Sequence, residues 1–190
     1  MAAAATPVGA ATPATTATGA GKLFAATRAV VPASAITDVT PFLTKEFDAS
    51  HELHITLGYF GADIPDSTAQ QVVLIWKEIF EAAALVATHD LTIDFPGTFA
   101  LYGKDHNIVV ATGACTSAFY DAVTKANEKT REECPDIPPS DFPFSPHISF
   151  GEGTVLPPRI APFKVELDRV VFFGEQYRER DAFTIPRTDG

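Results

Sequence analysis

Along the chain, apolar positions recur with two different periods, and the periods divide it into strands and helices. Residues 22–31 (KLFAATRAVV) read as a strand, and residues 53–60 (LHITLGYF) alternate apolar and polar over part of their length. Between them, residues 32–50 are mixed, carry Pro32 and Pro41, and have room for a short helix. From Asp66 to about Val86 the period changes: Val72, Trp76, Ile79, Phe80 and Ala83 recur at helical spacing. Pro65 suits the start of that helix, where its missing N–H costs nothing. Leu91, Ile93 and Phe95 alternate as a strand, and NIVVAT (107–112) forms another after a Pro-Gly break. Residues 117–133 return to helical spacing, with Phe119, Val123 and Ala126 on one face and charges on the other. The run CPDIPPSDFPFSP (134–146) is too rich in proline for regular structure. HISFG (147–151), FKVELDRVVFF (163–173) and AFTIP (182–186) complete the pattern as strands. At least six strands and two helices in loose alternation predict an α+β protein, its sheets covered by helices.

Composition sets the first segment apart. Of residues 1–21, 19 are Ala, Thr, Pro or Gly and none is charged. With no periodic apolar face, such a segment cannot offset its ordering entropy by burial. It is expected to be a flexible leader, with one domain over 22–190. It has neither a basic start nor a compact apolar run, so a secretory signal fits poorly. No stretch approaches ~18 uninterrupted apolar residues, so no transmembrane helix is expected. A cytoplasmic location follows as the expectation. The two cysteines, Cys115 and Cys134, are too few for a disulfide framework or a Cys-based zinc site and are read as reduced thiols.

Fourteen Lys and Arg against 24 Asp and Glu give a net charge of −10. Long nucleic acids are held mainly by cations that neutralise phosphates, so a broad DNA or RNA binder is not expected. A small anionic ligand needs only a local pocket and stays open. Arg28, Lys104 and Arg159 are the candidate cations for one, each otherwise a solvated surface charge.

Two of the five histidines lie in matching strings, His54-Ile55-Thr56 and His147-Ile148-Ser149. On a strand, residues i and i+2 share a face, so each string points an imidazole and a hydroxyl the same way and buries the isoleucine. Two imidazoles can supply both the base and the acid that phosphodiester hydrolysis needs near neutral pH. Adjacent hydroxyls can donate to the phosphoryl oxygens as charge builds. The bare pattern fits equally well two half-buried strand histidines with hydrogen-bonded neighbours. No metal-ligand set and no cofactor fingerprint is evident; HELHI (51–55) lacks the zincin spacing, because its second histidine comes one residue early. For stacking a base, Phe24, Phe60 and Tyr102 are the candidate substrate-binding aromatics. Simple alternation places Phe60 on the His54 face, Tyr59 opposite, and Gly151 rather than Phe150 on the His147 face. Trp76, on the apolar helical face, is expected in the core.

The strings and their setting resemble the 2H phosphoesterase superfamily, the LigT-like proteins, which is defined by two H-x-T/S motifs in two pseudo-symmetric lobes. LHITLGYFGADIPDSTAQQV is similar to the first motif with its glycine turn and following helix, and FPFSPHISFGEG to the second. The resemblance spans roughly residues 22–187. It implies a bilobal fold with two antiparallel sheets around a central cleft, and metal-independent chemistry carried by His54, Thr56, His147 and Ser149. Which histidine is acid and which base is not implied. The implied substrates are 2′,3′-cyclic or 2′-5′-linked nucleotides, or cyclic oligonucleotide signals of the kind cleaved by some viral members in host cytoplasm. The protein is expected to act as a monomer, without cofactor, long nucleic acid or membrane. The alternatives are a non-catalytic sponge that binds a nucleotide in the same cleft, and a structural protein with a relic site.

Overall fold

In the computed structural model, residues 19–48, 51–140 and 142–189 are described. Residues 1–18 of the expected leader lie outside them. The order of elements is β1 (Gly21–Arg28), α1 (Ala33–Val39), β2 (Lys45–Glu46), β3 (His54–Ile64), α2 (Asp66–Ala83), β4 (Thr92–Phe95), β5 (Phe99–Tyr102) and β6 (Ile108–Thr112). There follow α3 (Ser117–Glu133), β7 (His147–Glu152), β8 (Phe163–Glu166), β9 (Arg169–Phe173) and β10 (Glu179–Thr184).

The strands form two four-stranded antiparallel sheets, ordered β10-β9-β1-β3 and β2-β7-β6-β5, and a two-stranded β4-β8 ribbon. Each large sheet has its own long helix in sequence: α2 follows β3, and α3 follows β6. The helices pack on each other and share one core with the sheets. Trp76 is at its centre, fully buried, with its indole N–H donating to the Thr130 hydroxyl at 3.0 Å. That bond removes the cost of an unpaired donor in an apolar interior. A second, smaller apolar cluster of Phe24, Ala26, Val171 and Phe173 lies on the other face of the first sheet. The α+β architecture with two antiparallel sheets is the one expected.

Helix α3 has the bounds that its periodicity predicts, and a reason for its start: Thr116 accepts the Phe119 N–H at 3.3 Å as an N-cap. Segment 163–173 is not one strand. It breaks at Leu167-Asp168, where the Leu167 N–H turns to the Leu91 carbonyl at 2.9 Å. Upstream of the break the chain pairs with β4, and downstream with β1 and β10. Strand β5, which has no alternation to mark it, pairs along its whole length with β6.

The expected face of Phe60 is reversed by a bulge. Ala25 pairs with Gly58 and Ala26 with Thr56, so Leu57 has no partner of its own. The extra residue shifts the alternation by one. Ile55 and Leu57 enter the core, Tyr59 pairs with Phe24 and is 51% exposed, and Phe60 is fully buried against Trp76 at 5.8 Å between rings. Phe60 is therefore core and not a stacking surface for a ligand.

The bulge is fastened to α3. Asn127 Nδ2 donates to the Leu57 carbonyl at 2.9 Å and to Val123 at 3.0 Å, while its Oδ1 accepts from Arg131 at 3.2 Å. A methyl group at position 58 would stand 2.4 Å from Asn127 Oδ1 and 3.2 Å from Phe60 Cζ. Since Asn127 is held at both ends, it cannot swing aside without losing those bonds. Gly58→Ala is expected to destabilise the fold by about 1–3 kcal/mol, the usual scale of overpacking. A urea denaturation midpoint equal to that of the wild type would contradict this account of the glycine.

Candidate active site

Each histidine of the two strings is the first residue of its strand, His54 of β3 and His147 of β7. Strand β3 is an edge, and the short β2 covers only Gly151 and Glu152 at the far end of β7. The two histidine-bearing strands lie in contact where the two sheets meet.

The backbone ties both rings in the same way. His54 Nδ1 is 2.6 Å from the carbonyl of Glu52, and His147 Nδ1 is 2.8 Å from the carbonyl of Ser145, in each case two residues upstream. A carbonyl only accepts, so each Nδ1 carries the proton and each Nε2 is left with its lone pair. Thr56 and Ser149 follow in phase, and among the described residues neither hydroxyl has a hydrogen-bond partner. Imidazole, tautomer and hydroxyl are thus repeated in both lobes.

Burial is the main force lowering both histidine pKa values. For His54, the charges of His147 and Lys22 lower it further, partly offset by the hydrogen bond to the Glu52 carbonyl. For His147 the Ser145 carbonyl is the opposing influence. His54 thus senses the charge of His147 across the cleft.

The surroundings of the two rings differ. Around His54 stand Tyr177 at 5.4 Å, Phe24 at 5.6 Å and Phe173 at 6.3 Å between ring centroids. A further histidine, His51, lies 5.4 Å from His54 and 4.7 Å from Tyr177. Burial, with the charges of His54 and Lys22, lowers its pKa to about 4. Its Nε2 is buried with no hydrogen-bond partner among the described residues. Lys22 Nζ sits over the rings of Phe24 and Tyr177, at 5.1 and 6.0 Å from their centroids. Among the described residues, the one aromatic ring against His147 is Tyr102, edge to face at 4.9 Å.

Of the candidate aromatics, Phe24 and Tyr102 therefore stand beside the two imidazoles, and Phe60 does not. Of the candidate cations, Arg28 is committed to carboxylates: Nε donates to Glu52 at 2.6 Å and its Nη atoms reach Glu179 at 3.4 Å. Glu52 is consequently held by Arg28 through its side chain while its carbonyl holds His54. Lys104 lies in the exposed turn between β5 and β6, and Arg159 Nε reaches the Pro96 carbonyl at 3.4 Å.

Lys22, His51, Phe173 and Tyr177 are site residues that sequence reasoning missed. Lys22 had a signal, since it is two residues from the candidate Phe24 on β1; Phe173 had none, because no residue of β9 was a candidate. Tyr177 had none; it reaches His54 from a turn in which both it and Gln176 have positive φ, 57° and 54°. His51 precedes its strand and belongs to no periodic pattern.

Beside the pair a cavity of about 580 Å³ runs between β3, α3 and the segment before β7, with Thr56 and His147 in its wall. Among the described residues, no group of three or more His, Cys, Asp or Glu side chains is placed to hold a metal ion. No helix there is long and apolar enough to cross a membrane.

No family model matches the sequence, and no curated protein sequence does. Solved structures match in fold. TT0787 of Thermus thermophilus aligns over 87% of this chain and 98% of its own, with 19% identity and a TM-score of 0.61. Escherichia coli LigT complexed with 3′-AMP aligns over 88% and 99%, with 14% identity and a TM-score of 0.61. Kluyveromyces marxianus Usb1 with uridine monophosphate aligns over 87% and 98%, with 10% identity and a TM-score of 0.51. The chain has the LigT-like fold.

The buried imidazoles have a consequence for stability. Folding holds His51 neutral down to about pH 4, against an ordinary value of 6.5. The unfolded chain therefore binds more protons as the pH falls below about 6.5, and stability is lost in that direction. Urea midpoints are expected to decline from pH 7 to pH 5, and to decline less in His51→Phe. Equal pH dependence in the two proteins would refute the burial of a neutral His51.

Proposed function

We propose that the protein is a metal-independent phosphodiesterase acting on cyclic or 2′-5′-linked nucleotides, including 2′,3′-cyclic phosphates and cyclic oligonucleotide signals. One observation carries the reading: two imidazoles, each fixed with Nδ1 protonated by a carbonyl two residues upstream, each with an unpartnered hydroxyl in phase. A half-buried core histidine needs no such twin. The known structures of this fold add support, since LigT was solved with 3′-AMP and Usb1 with uridine monophosphate.

In the reaction, one neutral imidazole removes a proton from water through Nε2. The water oxygen forms its bond to phosphorus, and the ester oxygen leaves from the opposite side. The second imidazole, protonated, gives its Nε2 proton to that leaving oxygen. Thr56 and Ser149 donate to the non-bridging oxygens, where charge accumulates. Exchange of one proton between the rings and solvent resets the pair.

The environments favour one assignment of the roles. Burial against the aromatic wall, with the charges of His147 and Lys22, favours the neutral form of His54 against the opposing influence of Glu52, so it is taken as the base. His147 faces the open cavity with one ring beside it and is the acid, charged once a phosphate anion is bound.

Replacing either histidine with alanine is expected to lower turnover at least ~10²-fold, the scale of one acid or base. A leaving group that needs no proton separates the two. On a nucleoside 3′-(p-nitrophenyl phosphate), His147→Ala is expected to recover most of the lost rate and His54→Ala none; recovery in the reverse order would exchange the roles. Turnover is expected to persist in excess EDTA, and loss with recovery on Zn²⁺ or Mn²⁺ would overturn the mechanism. Products from a panel of cyclic phosphates and cyclic di- and trinucleotides, read by mass spectrometry, identify the substrate. Binding without turnover across that panel would make the protein a nucleotide-holding sponge.

A further inference from the structure

Arg131 is placed unusually for a protein with a net charge of −10. It is half-buried on α3, and burial alone lowers its pKa. Its guanidinium bonds only neutral oxygens: Nε to Pro138 at 2.9 Å, Nη1 to the Asn127 carbonyl at 3.1 Å and Oδ1 at 3.2 Å, Nη2 to Tyr59 at 3.1 Å. Among the described residues no carboxylate pairs with it, whereas Arg28, Arg169 and Arg180 each have one. One Nη2 proton has no acceptor among them. A cation withdrawn from water without a counter-charge is costly unless something supplies the charge.

Arg131 lines the cavity whose wall includes Thr56 and His147. The rest of that wall is distinctive. Among the exposed large hydrophobic side chains, the aromatic ones are Tyr59, Tyr120 and Phe142, and all three line this cavity. Exposed aromatic side chains lining one cavity with a guanidinium that no described carboxylate pairs match a base and a phosphate joined by a sugar. Glu128, in the same wall without an ion pair to Arg131, offers an acceptor for an amino group on the base edge.

We infer that this cavity is a second nucleotide subsite. Arg131 takes a phosphate there and the aromatic side chains take its base, so the preferred substrate carries at least one phosphate beyond the one between the histidines. The inference rests on the proposed function for the position of the scissile phosphate. It separates a short oligonucleotide, linear or cyclic, from a mononucleotide 2′,3′-cyclic phosphate, which leaves the cavity empty.

Calorimetric binding of 2′-5′-linked ApA and ApApA, made with hydrolysis-resistant phosphorothioate linkages, to the full chain tests it, since the trinucleotide adds one nucleotide and one phosphate whichever end enters the cavity. The wild type is expected to bind ApApA at least tenfold more tightly than ApA. Arg131→Gln is expected to remove most of that preference, and Phe142→Ala, at a side chain 81% exposed and safe for folding, to reduce it. Equal affinities in the wild type would overturn the subsite, as would a preference unchanged in both variants. Should Arg131→Gln fail to fold, Phe142→Ala and Tyr120→Ala decide by the same ratio. The proposed function fails on a different result, the absence of turnover for every phosphodiester, which leaves this binding ratio readable.

Discussion

An imidazole that gives its Nδ1 proton to a fixed carbonyl has one nitrogen left to act with, and the rest of the site is arranged around two such bonds. Each needs a carbonyl that does not move. Glu52 is anchored by the Arg28 guanidinium, and the neighbouring Leu53 carbonyl accepts the Ala29 N–H at 2.9 Å. Ser145 is followed by Pro146, whose own carbonyl accepts the Gly113 N–H at 2.9 Å. The position of each ring is thereby set by the sheet itself, with rotamer freedom removed before any ligand arrives. That is the preorganisation on which acid–base and electrostatic catalysis depend.

The same backbone device in two lobes does not give two equal groups. The aromatic wall withdraws His54 from water and Lys22 adds a positive charge beside it, and these outweigh the pull of Glu52 toward the charged ring. His147 borders open space. On the proposed mechanism, two imidazoles of identical intrinsic pKa would be divided by their surroundings into a base and an acid, the condition for moving a proton in at one side of a phosphate and out at the other. The repeated backbone bond accounts for the matching geometry, and the unequal surroundings are what the proposed division of roles rests on.

How much of this could be read from sequence depended on the range over which each residue is determined. The helices α2 and α3 were legible because an apolar stripe repeats over several turns, and tertiary contacts only confirm a local preference. The two histidine strings were legible because a strand fixes side-chain direction over two residues. Phe60 was misplaced because alternation survives only until the first bulge, and the bulge at Leu57 is created by Asn127 on a helix about seventy residues away. The break in segment 163–173 has the same origin: the chain changes partner strands, and pattern alone records no partner. Tyr177 comes to His54 through a turn with positive φ at a non-glycine residue, a conformation no local preference announces. Local rules thus recovered the elements, while the face that each presents beyond a bulge or turn was decided by distant residues.

Charge closes the argument about ligand size. The excess of carboxylates repels any polyanion lying along the surface, and a repulsive contribution accompanies each phosphate added there. Arg28 cannot offset that, because it is already paired with Glu52 and Glu179. Lys22 over the aromatic wall beside His54 and Arg131 in the side cavity that His147 and Thr56 line lack such partners among the described residues. On the proposed reading, a short nucleotide would gain the attraction of these two cations, while each further phosphate of a long strand would meet a surface of net negative charge.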